Sequence, residues 1–447
     1  MEKILNNLRY RLKYHIMAKQ GWINDPNGLV YFKGYYHVFF QYYPHDAKWG
    51  PMHWGHVRSK DLIHWEDLPI ALFPEDEDGC FSGSAIEHDG KLFLLYTAHH
   101  DLKGEITSVV QEQNLAYSED GINFTKYEGN PVIRVPLSDN TENFRDPKIW
   151  SDGNKFYCVI GGQTLDKRGQ VLVYESDDIY HWHFKKTLAQ SETADKEGYM
   201  WECPDYFEIN GQKILMMSPQ GIKAQGEHFN NLFQCGYFIG QEKEDKFLYP
   251  ANSFKELDQG HDFYAAQTLL APDGRRILIA WMSMWEKDIP EQADGWAGCM
   301  TFPRELTIKN GKLIMQPIRE IENLERDIIV EKTLTKYQEQ YAQRCLKIDL
   351  SSQEVSDFEL SITFGESKLQ LCYQKGQFIL SKPDYQARTL TCELSKLKLE
   401  VLCDTSSIEI FCEDGPVFSE RLYGVGETKL QFNSTNPVKM KVTTLEL

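Results

Sequence analysis

Short apolar and aromatic runs separated by turn residues dominate the first two thirds of the chain. Tyr35–Gln41, Lys91–Tyr96 and Lys155–Ile160 follow the turn signals Lys33-Gly34, Asp89-Gly90 and Asp152-Gly153-Asn154. Runs of this length, rich in branched and aromatic residues and bounded by Gly, Asp and Asn, predict β-strands. Gln212–Met217 and Arg275–Trp281 are later, more degenerate members of the series. The five strands recur about every 60 residues, and helical periodicity is almost absent before residue 315.

A second pattern sharpens the repeat. Val57-Arg58-Ser59-Lys60-Asp61 leads to Trp65, Ala116-Tyr117-Ser118-Glu119-Asp120 to Phe124, and Tyr174-Glu175-Ser176-Asp177-Asp178 to Trp182. Each reads as a strand ending in Ser-x-Asp, a turn, and an aromatic residue six positions after the serine. The serines are 59 and 58 residues apart. A fixed period of this size implies one supersecondary unit per repeat, as in a propeller or array. The fold class expected is all-β, beginning with a five-bladed β-propeller whose blades of four strands surround a central channel, with loops gathered at one end. Residues 316–330 read as a connector, with a charged stretch of helical character at Arg319–Arg326. Beyond it, Lys368–Tyr373, Gly376–Leu380 and Ser407–Cys412 follow a different rhythm, and the last alternates apolar with polar as a half-buried strand does. These strands predict a C-terminal β-sandwich. The expected domains are therefore a propeller at 1–320 and a sandwich at 321–447.

Composition narrows the function classes. A chain of 447 residues is too long for one ordinary core. Its 41% hydrophobic and 26% charged content is that of a globular protein. The 13% aromatic content suits sugar-stacking pockets and β-cores alike. A net charge of −18 repels nucleic acid and anionic membrane surfaces, so a phosphate-bearing substrate would need a local basic pocket. No run of 18 apolar residues occurs, and no membrane-spanning helix is expected. Met1–Tyr10 contains no apolar core of a secretory signal. The ten cysteines form no Cys-x-x-Cys pair and are expected as reduced thiols in the cytoplasm. His53-Trp54-Gly55-His56 and His99-His100 lack the helical spacing of a zinc site, so no metal is expected. No cofactor motif is present either: Gly161-Gly162 is no phosphate cradle, and no Gly-x-Ser-x-Gly elbow occurs.

Three acidic residues stand in unusual settings: Asp25 in Trp22-Ile23-Asn24-Asp25-Pro26-Asn27-Gly28, Asp146 in Asn143-Phe144-Arg145-Asp146-Pro147, and Glu202 in Met200-Trp201-Glu202-Cys203-Pro204-Asp205. They are 121 and 56 residues apart, about two periods and one period of the repeat. Equal phase in a propeller means equal distance from the axis, so the three could converge at one end of the channel, each just before a strand signal. The bland alternative is that the two Asp-Pro pairs merely open turns. Converging carboxylates serve glycosidic cleavage, one protonating the leaving oxygen and the other attacking the anomeric carbon or activating water. Trp201 and Cys203 flank Glu202 and favour its protonated form, whereas Asn24 and Asn27 flank Asp25 and can hydrogen-bond its ionised form.

At these residues the chain resembles glycoside hydrolase family 32, the β-fructofuranosidases. Trp22–Gly28, Gln41, Trp49-Gly50, Phe81-Ser82-Gly83-Ser84, Arg145-Asp146-Pro147 and Glu202-Cys203-Pro204 stand in the family's order. Met217–Gly221, Cys235–Gly240, Leu257–Ala265, Gly274–Met282 and Pro303–Leu306 are similar to the bacterial sucrose-6-phosphate hydrolases within it. The resemblance implies a five-bladed propeller followed by a β-sandwich. It also implies Asp25 as nucleophile, Glu202 as acid and then base, and Asp146 as a transition-state stabiliser that binds fructose hydroxyls. Arg145 would orient these acids, and Asn24, Gln41, Trp49, Phe81 and Ser82 would line the fructose subsite. Tyr264 and Trp285 are further candidates for the pocket. A retaining mechanism on a terminal β-fructofuranoside, such as sucrose or its 6-phosphate, is the activity implied.

Two other readings compete. A fructan exo-hydrolase trimming inulin or levan would use the same acids on a longer chain. A non-catalytic, carbohydrate-binding propeller would share the fold, since propellers host many functions, but it would have no need of Glu202 in an apolar setting. The sequence singles out no basic residue for a 6-phosphate and does not state an oligomeric state.

Overall fold

The computed structural model describes residues 7–101, 109–134, 138–244 and 246–447. The first six residues of the Met1–Tyr10 segment lie outside them. Five antiparallel sheets form a propeller. Blade I contains Gly21–Phe32, Tyr35–Tyr43, His53–Ser59 and Glu66–Leu72, and blade II contains Gly79–His88, Lys91–Asp101, Val109–Ser118 and Thr125–Lys126. Blade III runs Asn140–Ser151, Phe156–Thr164, Gly169–Ser176 and Trp182–Gln190, and blade IV runs Met200–Ile209, Gln212–Gln220, Gly236–Lys243 and Lys246–Leu248. Blade V consists of Tyr264–Leu270, Arg276–Trp281, Arg304–Lys309 and Lys312–Pro317. The first strands of successive blades neighbour one another around the axis, and the first strand of blade V returns to that of blade I. Trp296–Ala297, from the blade V loop, pairs in parallel with Gly21 and Trp22 and closes the ring.

The five apolar runs of the sequence are the second strands of the blades. These are buried on both faces, between neighbouring sheets, and therefore read as continuous apolar segments. Phe39, Trp54, Leu92, Leu94 and Tyr96 fill the space between blades I and II, and Val159, Val171, Trp201, Leu215 and Phe238 fill that between III and IV. The Ser-x-Asp repeat is the turn between third and fourth strands. In each copy the aspartate accepts two backbone N–H bonds: Asp61 from Ile63 and His64, Asp120 from Ile122 and Asn123, and Asp178 from Tyr180 and His181. The residue after it takes a left-handed backbone, with φ of 66° at Leu62, 76° at Gly121 and 66° at Ile179. The repeat is thus architectural, and it holds the outer edge of three blades.

The expected helical stretch at Arg319–Arg326 is corrected. Only Arg319–Leu324 form a short 3-10 turn, and Glu325 begins a 17-residue strand that reaches Tyr341. That strand pairs along most of the final strand, Thr428–Leu445. The final strand spans both leaves of a β-sandwich: its first part, through Ser434, pairs with Phe358–Phe364, and its last part pairs with Leu346–Ser352. Leu350, Phe358, Leu371, Phe378, Val401, Ile410 and Phe432 lie in one buried core between the leaves. The ten cysteines are all free thiols. Among the described residues, no helix is long and apolar enough to cross a membrane.

Sandwich and propeller are joined through buried charge. His15, from the segment before blade I, contacts Asp404 Oδ2 through Nδ1 and Glu409 Oε1 through Nε2, each at 2.8 Å. Glu409 also receives Arg304 Nη2 at 2.6 Å, and Arg304 Nη1 reaches Asp258 at 3.0 Å. Burial alone would lower the His15 pKa, but hydrogen bonds and charge from Asp404 and Glu409 raise it to about 9. Because the folded value lies above the unfolded one, this stabilisation is full below the unfolded pKa of about 6.5 and is lost as pH rises through about 9. His15→Gln removes the shared cation from two buried carboxylates and is expected to destabilise the protein by about 3–5 kcal/mol near pH 6. Denaturant melts at pH 6 and pH 9.5 check this: the gap between wild type and variant should narrow at the higher pH.

Candidate active site

At one end of the channel, every innermost strand breaks register. The shifts fall between Ile23 and Pro26, Phe81 and Gly83, Glu202 and Asp205, and Tyr264 and Gln267; in blade III the shift lies opposite Asp146 and Pro147. A bulge turns a strand's side chains away from simple alternation, and here the five bulges carry Asp25, Ser82, Asp146, Glu202 and Tyr264. The acids are therefore not just ahead of a strand, as the repeat suggested, but within the inner strands. Their prolines mark the bulges, where a missing N–H is tolerated. Asp146 and Cys203 adopt φ of 64° and 48°, left-handed values that cost side-chain-bearing residues energy and cluster at functional sites.

Each carboxylate has its own partners. Asp25 accepts hydrogen bonds from Asn24 Nδ2 at 2.9 Å and Ser82 Oγ at 2.7 Å. Trp22 Nε1 donates to Asn24 Oδ1 at 2.7 Å and so fixes which end of that amide faces Asp25. Asp146 Oδ2 accepts the Cys203 backbone N–H at 2.9 Å, and the Cys203 thiol lies between Asp25 and Asp146, 3.5 and 3.7 Å from them. Glu202 Oε1 receives Arg145 through both Nε at 3.0 Å and Nη2 at 2.8 Å, and its Oε2 receives Gln220 Nε2 at 2.8 Å and the Tyr264 hydroxyl. Asn143 Oδ1 accepts from Arg145 Nη1 at 2.8 Å, which holds the guanidinium in place.

Of the three carboxylates, Glu202 is the one that Arg145 contacts. Burial and the Glu202 charge raise the Asp25 pKa, against the hydrogen bonds of Asn24, Ser82 and Cys203. Asp146 is pushed up to about 7 by burial, a rise that Arg145 opposes and that Glu202 and Asp25 reinforce. Burial and Glu202 keep the Tyr264 phenol protonated far above its ordinary range. Interacting groups of this kind titrate as a set, and the set retains a proton close to neutrality.

A cavity of about 500 Å³ opens over these groups. Of the residues expected from the sequence, Asn24, Asp25, Gln41, Trp49, Phe81, Ser82, Arg145, Asp146, Glu202 and Trp285 all line it. Tyr264 does not: it lies buried behind Glu202 and acts on the cavity through that carboxylate. Trp49 is 51% exposed at the rim, edge-on to Phe81 at 6.1 Å, and Phe81 stacks on His99 at 4.1 Å. Trp285 stacks on Trp22 at 5.9 Å. The sequence reading missed His99, Gln111, Asn143, Gln220 and Phe233, which also line the cavity. Asn143 was within reach, since it lies two residues before Arg145 and so on the same strand face. His99 and Gln111 sit in no motif, and only the register of blade II brings them to the site.

Comparison with known proteins agrees with this geometry. Residues 15–317 match the model of the glycosyl hydrolases family 32 N-terminal domain. A sucrose-6-phosphate hydrolase of Zymomonas mobilis is 42% identical over 433 residues, covering 90% of this chain and 83% of its own. A raffinose invertase of Escherichia coli is 39% identical over 93% of this chain and 90% of its own. The structure of a Bombyx mori β-fructofuranosidase mutant in complex with sucrose superimposes with a TM-score of 0.93 at 39% identity, covering 100% of this chain and 96% of that one. With the acid cluster, the propeller and the sandwich all in place, the chain belongs to glycoside hydrolase family 32.

Proposed function

We propose that the cavity cleaves the fructosyl bond of sucrose 6-phosphate and of sucrose, with Asp25 as nucleophile and Glu202 as acid and then base. As a family member the chain is a glycoside hydrolase acting on terminal β-fructofuranosides. The observation that carries the assignment of roles is the asymmetry of partners. Among the described residues no cation pairs with Asp25, which neutral donors hold at the cavity floor. An anion without a counter-ion is suited to meet a developing positive charge at C2. Glu202, by contrast, is gripped by Arg145, Gln220 and Tyr264 and can exchange a proton without moving.

In the first step Glu202 gives its proton to the leaving glucosyl oxygen as the C2–O bond breaks, and an Asp25 oxygen forms a bond to C2. In the second, water attacks C2, its proton passes to Glu202, and the Asp25 bond breaks. This double displacement retains configuration. Asp146 faces the fructosyl hydroxyls and, holding its own proton up to about pH 7, can donate a hydrogen bond to one of them. The phosphorylated substrate is supported by the names of the curated relatives, and such a sugar would be met in the cytoplasm.

Replacing Asp25 by Asn should reduce kcat/KM for sucrose by at least about 10⁴-fold, since the covalent route is lost. Glu202→Gln should lose about 10²–10⁴-fold on sucrose but much less on a fructofuranoside whose leaving group needs no proton. Steady-state rates on both substrates check this, and equal losses on the two would contradict the acid role. With Asp146 titrating at about 7, kcat/KM should fall as pH is raised through that value and the retained proton is lost. A pH–rate profile tests the sign.

A further inference from the structure

A phosphate-bearing substrate presents this acidic chain with an electrostatic problem, because −18 net charges repel it. Among the described residues, the cation on the wall of the active cavity is already committed. Arg145 is the one lysine or arginine on that wall among the described residues, and it serves Glu202. Burial and the neighbouring Arg145 lower the His99 pKa to about 4, so that ring is neutral at working pH.

A second cleft of about 300 Å³ adjoins the cavity and shares Trp285 and Glu286 with it. It lies between the blade IV and V loops and the sandwich, and its cations are Lys287 and Arg388. Lys287 is paired with Asp262 at 3.2 Å. Arg388, at the start of the sandwich strand Arg388–Thr391, is different. Its Nη2 donates to Asn231 Oδ1 at 2.5 Å, its Nε is buried with no partner, and among the described residues no carboxylate lies within ion-pair distance of it. Glu420, Glu256 and Asp262 act on its charge only from beyond contact, against the cost of burial, and its planar fork matches two phosphate oxygens.

We infer that Arg388 is a specificity-determining residue of the sandwich, which receives the phosphate of a phosphorylated leaving sugar in the cleft beside Trp285. The inference rests on the hydrolase reading above. It gives the sandwich a share in substrate choice, while the propeller alone performs the chemistry. The Asn231 side chain orients the fork, leaving Nη1 and the second N–H of Nη2 for the phosphate.

The test compares kcat/KM for sucrose 6-phosphate and for sucrose in wild type, Arg388→Gln and Arg388→Lys. Expected are a fall of at least about tenfold on the phosphorylated sugar with Arg388→Gln, expressed in KM, a change below about twofold on sucrose, and partial recovery with Arg388→Lys. Raised ionic strength should weaken the wild-type preference and leave Arg388→Gln unaffected. Retained activity on sucrose shows that the variant is folded. Equal losses on both sugars, or no loss on either, would overturn the inference. So would a wild type that cleaves sucrose but ignores the phosphate, with the hydrolase reading left intact. A wild type that cleaves neither sugar would bring down the hydrolase reading itself, and the inference with it.

Discussion

Three carboxylates gathered where a guanidinium contacts just one of them set the terms for the rest of the molecule. Like charges gathered in a partly buried cavity repel one another and resist ionising together. Arg145 offsets one of them by a two-nitrogen grip on Glu202, and Asn143 holds it in that position. The other two depend on fixed dipoles: Asn24 and Ser82 for Asp25, and the Cys203 N–H for Asp146. The remaining imbalance is what keeps a proton in the cluster near neutral pH.

Such a cluster needs a rigid frame, and the propeller supplies one. Each innermost strand is pinned by its own sheet on one side and by neighbouring blades on the other, so a bulge at the channel mouth cannot relax by sliding. The ring is closed by Trp296–Ala297 against Gly21–Trp22, three residues from Asp25. The sandwich then locks blade V through Arg304, Glu409 and His15. The strained backbones of Asp146 and Cys203 are affordable only because this surrounding structure determines them.

What the sequence disclosed follows the same physics. The second strands were legible because they are buried on both faces, and the Ser-x-Asp turns because one turn geometry demands one residue pattern. The innermost strands were not, since their bulges and prolines break alternation at Asp25, Asp146 and Glu202, and the acids looked like turn residues ahead of the strands. Edge strands such as Thr125–Lys126 and Lys246–Leu248 are too short to leave a pattern. Glu325–Tyr341 escaped because it is largely solvent-facing and charged, which imitated a helical connector. The motif residues of the site were found through their family resemblance. His99, Gln111 and Gln220 act through strand register, which local patterns do not encode, and Tyr264 was placed at the pocket without its position behind Glu202.

The central claim is that Asp25 forms a bond to C2 and Glu202 governs the proton. Stereochemistry tests it most directly. Sucrose cleaved in the presence of methanol yields a methyl fructofuranoside whose anomeric configuration is stable and readable by NMR. Two displacements at C2 predict the methyl β-fructofuranoside as the first product. The α-anomer would mean a single displacement by an activated nucleophile from solvent, and would contradict the role given to Asp25.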